Sequence, residues 1–124
     1  APETNGLYDA KSGGLFSADC FGALMSEPTA DAGDIESENL REGLITWAKV
    51  DSPWLQAVDS GKFNRTLDVF REMSPKVVLS CHLPAAYNMT TQLLRYLAEV
   101  TAEDPFVGPD QETLEAMLSE TSKE

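Results

Sequence analysis

The sequence predicts an α/β protein: a mixed sheet with helices on one face. Three features carry that expectation: a hairpin-like start, two apolar runs ending at Asp19 and His82, and a long helical stretch between them. Continuous apolar runs read as buried strands, and a long helical connection suits a crossover between parallel strands. In open α/β sheets, ligands gather just beyond the carboxyl ends of such strands. Asp19 and His82 are therefore a candidate metal pair. They are half a site at most, because a bound metal usually takes three or more protein ligands and His82 is the single histidine of the chain.

The elements follow in order. Gly6 to Asp9 and Leu15 to Ala18 are strand-like, and Lys11-Ser12-Gly13-Gly14 between them is turn chemistry. Ser26 to Gly33 is an acidic loop, open to reading as a lid or as solvated chain. From Asp34 the period becomes helical: Asp34 is the expected cap, Leu40, Leu44 and Trp47 form the inward stripe, and Glu38, Arg41 and Glu42 face out. Ser52-Pro53 starts a second piece that Ser60-Gly61 closes, and Phe63, Leu67 and Phe70 mark a further helix ended by Pro75. Lys76 to Cys81 is the second main strand, and Leu83 to Tyr87 is a loop. Asn88 is the expected cap of a helix with Met89, Leu93, Leu97 and Val100 on one face. Asp110 caps a last helix striped by Leu114, Met117 and Leu118, followed by a polar tail from Glu120 to Glu124.

Composition narrows the function classes. The 124 residues, 42% hydrophobic and 24% charged, suit one domain with a modest core. Twenty-one acids against nine bases give a net charge of −12, which repels phosphate backbones and anionic lipid, so no nucleic-acid or membrane partner is expected. No run approaches the roughly 20 apolar residues of a membrane span, and no signal peptide is recognisable, which makes a cytoplasmic address the default. Asn64-Arg65-Thr66 and Asn88-Met89-Thr90 match the glycosylation triplet by chance on this reading.

A carboxylate and an imidazole on adjacent strand ends suit Zn, Fe or Mn, and a carboxylate can bridge two metals. The ordinary alternative stays open: Asp19 capping the Phe21-Gly22 turn and His82 a loop histidine. Cys20 and Cys81 flank the two candidates without CxxC spacing. On an extended segment they would point away from a metal into the packing, as small buried hydrophobes. Nucleophilic hydrolysis through Ser80 lacks a G-x-S-x-G elbow, and Gly13-Gly14 is a turn rather than a phosphate loop.

The segment Leu15-Phe16-Ser17-Ala18-Asp19-Cys20-Phe21-Gly22 resembles the part of metallo-β-lactamase-fold proteins that carries the metal-bridging aspartate, above all the L-F-S-x-D-x-F-G form of flavodiiron and related oxygen-binding diiron members. Ser80-Cys81-His82-Leu83-Pro84 is similar to the later strand end that carries the last histidine ligand. Ala1-Pro2-Glu3-Thr4 follows the family's H-x-P-[DE]-[ST] pattern from its second position onward. The resemblance implies that residues 1–124 are a single domain that is the C-terminal half of an αββα sandwich. The remaining ligands, an H-x-[HE]-x-D motif and a further histidine, would lie N-terminal to it.

It also implies Asp19 and His82 as ligands of a dinuclear Fe or Zn site in the intact protein, serving metal-assisted hydrolysis or diiron oxygen or nitric oxide chemistry. The chain alone would be inactive. Its partner would be its own N-terminal half, or a second copy, through an apolar sheet face. The alternative function is a non-catalytic acidic interaction module for a basic protein, with Asp19 and His82 structural.

Overall fold

The first hairpin forms where turn chemistry separates two strand-like runs. In the computed structural model, which describes residues 4–121, β1 (Leu7–Asp9) pairs antiparallel with β2 (Gly14–Ala18). The Asp9 carboxylate accepts from the Lys11 amide and from the amide and hydroxyl of Ser12, donors that hold its carboxyl below the usual range. Gly13 supplies the positive φ, 75°, that the turn requires.

The expected parallel pair is present. β3 (Val77–Ser80) runs parallel to β2, and β4 (Ala86–Tyr87) pairs antiparallel with β3, giving the order β1-β2-β3-β4. β4 replaces part of the loop expected over residues 83–87. A two-residue strand is too short to show periodicity, and it exists because Val77 and Val78 present a ladder to pair with.

Four helices follow the apolar stripes, with different boundaries. α1 (Ser37–Asp51) is capped by the Glu36 carboxylate, which accepts from the amides of Glu38 and Asn39. Asp34, the expected cap, belongs instead to a short 3-10 turn, Ala32–Asp34, that Asp31 caps. Ser52-Pro53 opens another 3-10 turn, Pro53–Ala57, and Ser60-Gly61 begins α2 (Ser60–Met73) rather than ending the preceding piece, because Asp59 caps the Lys62 amide. Ser74, in the left-handed region at φ 47°, stops α2 before Pro75. Met89, not Asn88, is the cap residue of α3 (Thr90–Glu99), and Asn88 makes the left-handed turn before it. Asp110 caps α4 (Gln111–Thr121) through the Thr113 amide, as expected. Residues 122–124 of the polar tail lie outside the described residues.

Register places Tyr8, Leu15, Val78 and Ala86 in one row across all four strands. This row faces the helices: Leu15, Val78 and Ala86 are buried with Leu40, Leu44, Leu67, Leu93 and Leu97. The Tyr8 hydroxyl also donates to the Met73 carbonyl at the end of α2. Each such fully buried aliphatic side chain contributes about 1.5–3 kcal/mol, so this cluster dominates stability. By comparison, the solvent-accessible Arg41, whose Nε donates to Glu99 at 2.8 Å and ties α1 to α3, contributes little, because water screens the pair.

The opposite sheet face is apolar and open. Leu7, Phe16 and Leu79 share one row and Val77 and Tyr87 another, with Leu7 65%, Phe16 48% and Tyr87 58% exposed. No helix among the described residues is long and apolar enough to cross a membrane.

Candidate metal centre

Asp19 and His82 sit in turns immediately beyond β2 and β3, so parallel pairing brings their backbones together. Their side chains meet: His82 Nε2 lies 3.0 Å from Asp19 Oδ1, and both side chains are partly exposed, His82 at 43% and Asp19 at 34%. Backbone bonds lock the two turns. The Cys81 amide and the Ser80 hydroxyl both donate to the Ala18 carbonyl, at 2.8 and 3.0 Å, and the Ala23 amide donates to the His82 carbonyl at 3.0 Å. The cap reading of Asp19 does not apply to its side chain, because the Gly22 amide bonds the Asp19 backbone carbonyl instead.

The local chain path departs from a regular strand. Ser17 is an extra residue between the Phe16–Leu79 and Ala18–Ser80 pairs, and Ala18 and Phe21 take left-handed φ values of 51° and 62° on either side of Asp19. A left-handed non-glycine residue costs about 1–3 kcal/mol, which surrounding contacts must offset. Phe21 supplies one, buried at 2% exposure with its ring edge-on to Phe70, 5.6 Å between centroids.

This irregularity also corrects the expectation for the cysteines. Cys20 and Cys81 are exposed, because neither lies on extended backbone where alternation would turn it inward. The Cys20 thiol nonetheless sits among enough protein atoms for desolvation, aided by the nearby Asp51 charge, to push it up to about 11, so it is a protonated thiol at neutral pH and a weak nucleophile.

Trp47 is the site residue that sequence reasoning read only as core. Its indole lies against the His82 ring, centroids 4.2 Å apart and planes tilted by 39°, while Nε1 donates to the Asp19 carbonyl at 2.9 Å. It therefore holds both candidates at once. An i+7 aromatic in an apolar stripe carries no sequence signal that separates this role from packing.

The sequence matches no family model and no curated protein. Among solved structures, the chain is similar to rubredoxin:oxygen oxidoreductase from the anaerobe Desulfovibrio gigas, a metallo-β-lactamase-fold protein, with a TM-score of 0.65 at 17% identity. The fold is metallo-β-lactamase-like. The superposition covers 85% of this chain and 26% of the neighbour, so the chain spans about a quarter of that protein's length.

In a metallo-β-lactamase-like frame, the donor chemistry can be tested directly. Two ligands of one ion with bonds of about 2.1 Å stand about 3.0 Å apart at right angles and about 3.4 Å apart at the tetrahedral angle, so the Asp19–His82 separation of 3.0 Å suits one shared ion as well as a direct hydrogen bond. The set is incomplete. Among the described residues no group of three or more His, Cys, Asp or Glu side chains is placed to hold a metal, so two donors fit and the remainder of a shell is not among them. Residues 1–3, which carry most of the Ala1-Pro2-Glu3-Thr4 pattern, lie outside the described residues.

Proposed function

We propose that this chain contributes Asp19 and His82 to a dinuclear iron or zinc centre whose other ligands come from elsewhere in a larger metallo-β-lactamase-like domain. The observation that supports this reading is the 3.0 Å contact between the two side chains at the carboxyl ends of adjacent parallel strands. When bound, such a centre supplies an activated water for hydrolysis or, as iron, a redox site for oxygen or nitric oxide. The Asp19 carboxylate provides one negative charge for two cations to share. His82 supplies a single imidazole nitrogen, and Trp47 shields one side of its ring. Alone, the described residues hold too few donors for this chemistry.

Titration with Zn(II) or anaerobic Fe(II) followed by calorimetry tests the reading. This chain should bind weakly, and Asp19→Ala or His82→Ala should each weaken binding by about tenfold or more. In a larger protein that supplies further ligands, Asp19→Ala should deplete both metals and His82→Ala mainly one. Unchanged metal content in both variants means that the pair is structural and removes the proposal.

The open face formed by Leu7, Phe16 and Tyr87 is the surface on which the rest of that domain would pack, or a second copy when the chain is alone. Sedimentation should show self-association of this chain that Phe16→Glu abolishes, because a carboxylate would then be buried at the centre of the contact. A chain that stays monomeric at high concentration speaks against this packing.

A second reading rests on α4. Every described residue of that acidic helix is exposed, including Leu114, Met117 and Leu118, so the chain also presents an amphipathic surface to which a basic protein would bind in a salt-sensitive, metal-independent way.

A further inference from the structure

Between the covered face of β2 and helices α1 and α2 lies a cavity of about 570 Å³, within the size range of small-molecule sites. Its wall is apolar: Leu15, Leu44, Leu67, Phe63, Phe70 and Trp54 line most of it. Its charged groups are Asp19 and Asp51, beside the neutral polar Thr4, Ser17, Cys20, Ser52 and Thr66, and among the described residues the lining holds no lysine, arginine or histidine.

The charge in the lining has one sign. Asp51 is the last residue of α1, where the helix dipole adds partial negative charge to its carboxylate. Its described partner is the neighbouring Ser52 hydroxyl, which donates at 3.2 Å. Asp19 is turned to His82, so Asp51 is the principal anion facing a ligand. Trp54, 46% exposed beside the opening, presents an aromatic surface that also favours a cation.

We infer that this cavity binds a small amphipathic cation, its apolar body lodged between Leu15, Phe63 and Phe70 and its ammonium group at Asp51. A carboxylate-headed ligand of the same shape meets like charge at Asp51 and is rejected. The cavity shares Asp19 with the proposed metal centre, so the test is made on the metal-free chain and turns on Asp51, which takes no part in the metal reading.

The test uses four probes on the whole chain: n-octyltrimethylammonium, n-octanol, octanoate and tetramethylammonium. Affinities come from calorimetry and location from backbone amide shifts. n-Octyltrimethylammonium should bind about tenfold or more tightly than octanoate, and tetramethylammonium should not displace it, because a head without a tail gains nothing from the cavity. Asp51→Asn should lower n-octyltrimethylammonium affinity several-fold and leave n-octanol unchanged. Shifts should centre on Leu15, Leu44 and Leu67.

Equal affinity for the three octyl probes overturns the inference, as does tetramethylammonium competing fully, which would mark general attraction to a chain of net charge −12. Shifts centred on Leu7 and Phe16 would move the binding to the open sheet face and overturn it too. So would no binding by any octyl probe.

Discussion

Gly43→Ala should destabilise the chain by about 2 kcal/mol or more, although alanine is the better helix former by about 1 kcal/mol. Gly43 lies mid-way along α1, and a Cβ built there would stand 2.3 Å from the Leu24 carbonyl oxygen and 3.3 Å from its carbon. Those are backbone atoms, and they cannot rotate aside. The same contact carries a hydrogen bond from the Leu24 amide to the Gly43 carbonyl at 3.0 Å, so separating the two segments loses that bond as well. Urea unfolding should show a midpoint lower by about 1 M. Gly61→Ala is the matched control: it sits at the exposed start of α2, and the nearest atom to a new Cβ is a side-chain oxygen of Asp59 at 3.2 Å. There the Asp59 carboxylate, which caps the Lys62 amide, need give by only a few tenths of an ångström, so any loss should stay well below that of Gly43→Ala. Equal stability of Gly43→Ala and the parent chain would show that α1 and residue 24 are not packed this closely.

Gly22→Ala should disturb the site as well as the fold. A Cβ at position 22 would lie 2.6 Å from Trp47 Nε1, 2.8 Å from Trp47 Cδ1 and 2.9 Å from His82 Cβ, so it wedges between the two rings that now stack. Relief requires Trp47 to swing out, breaking its bond to the Asp19 carbonyl and releasing His82. Overpacking of this kind costs about 1–3 kcal/mol. The informative readout is local: tryptophan fluorescence should move toward that of a solvated indole, and the affinity for Zn(II) should fall with it. Retention of both the emission and the metal affinity would mean that Trp47 does not position the pair.

Much of the frame was legible in sequence because it depends on patterns a chain carries locally. The hairpin followed from Lys11-Ser12-Gly13-Gly14 between apolar runs. The parallel pairing of β2 and β3 followed from the length of helix between them, which leaves a crossover as the economical connection. Core positions Leu40, Leu44, Leu67, Leu93 and Leu97 were readable from helical spacing. Caps were less so. Glu36 serves α1 where Asp34 was expected, because Asp31 and the Ala32 amide bond to the Ala85 carbonyl draw residues 31–34 into their own turn.

By itself, the sequence determined the main strands and helices apart from β4 and the exact helix ends, the apolar face they bury and the naming of Asp19 and His82 as the residues to watch, since periodicity and residue chemistry act within a few positions. Only the tertiary structure decided how those two side chains meet. The bulge at Ser17, the left-handed Ala18 and Phe21, and the Trp47 indole against His82 join segments separated by 28 residues or more. The exposure of Cys20 and Cys81 and the cavity lined by Asp51 arise in the same way. Each is a property of surfaces brought together by packing, where a neighbour distant in sequence sets the direction of a side chain, and no local pattern records that neighbour.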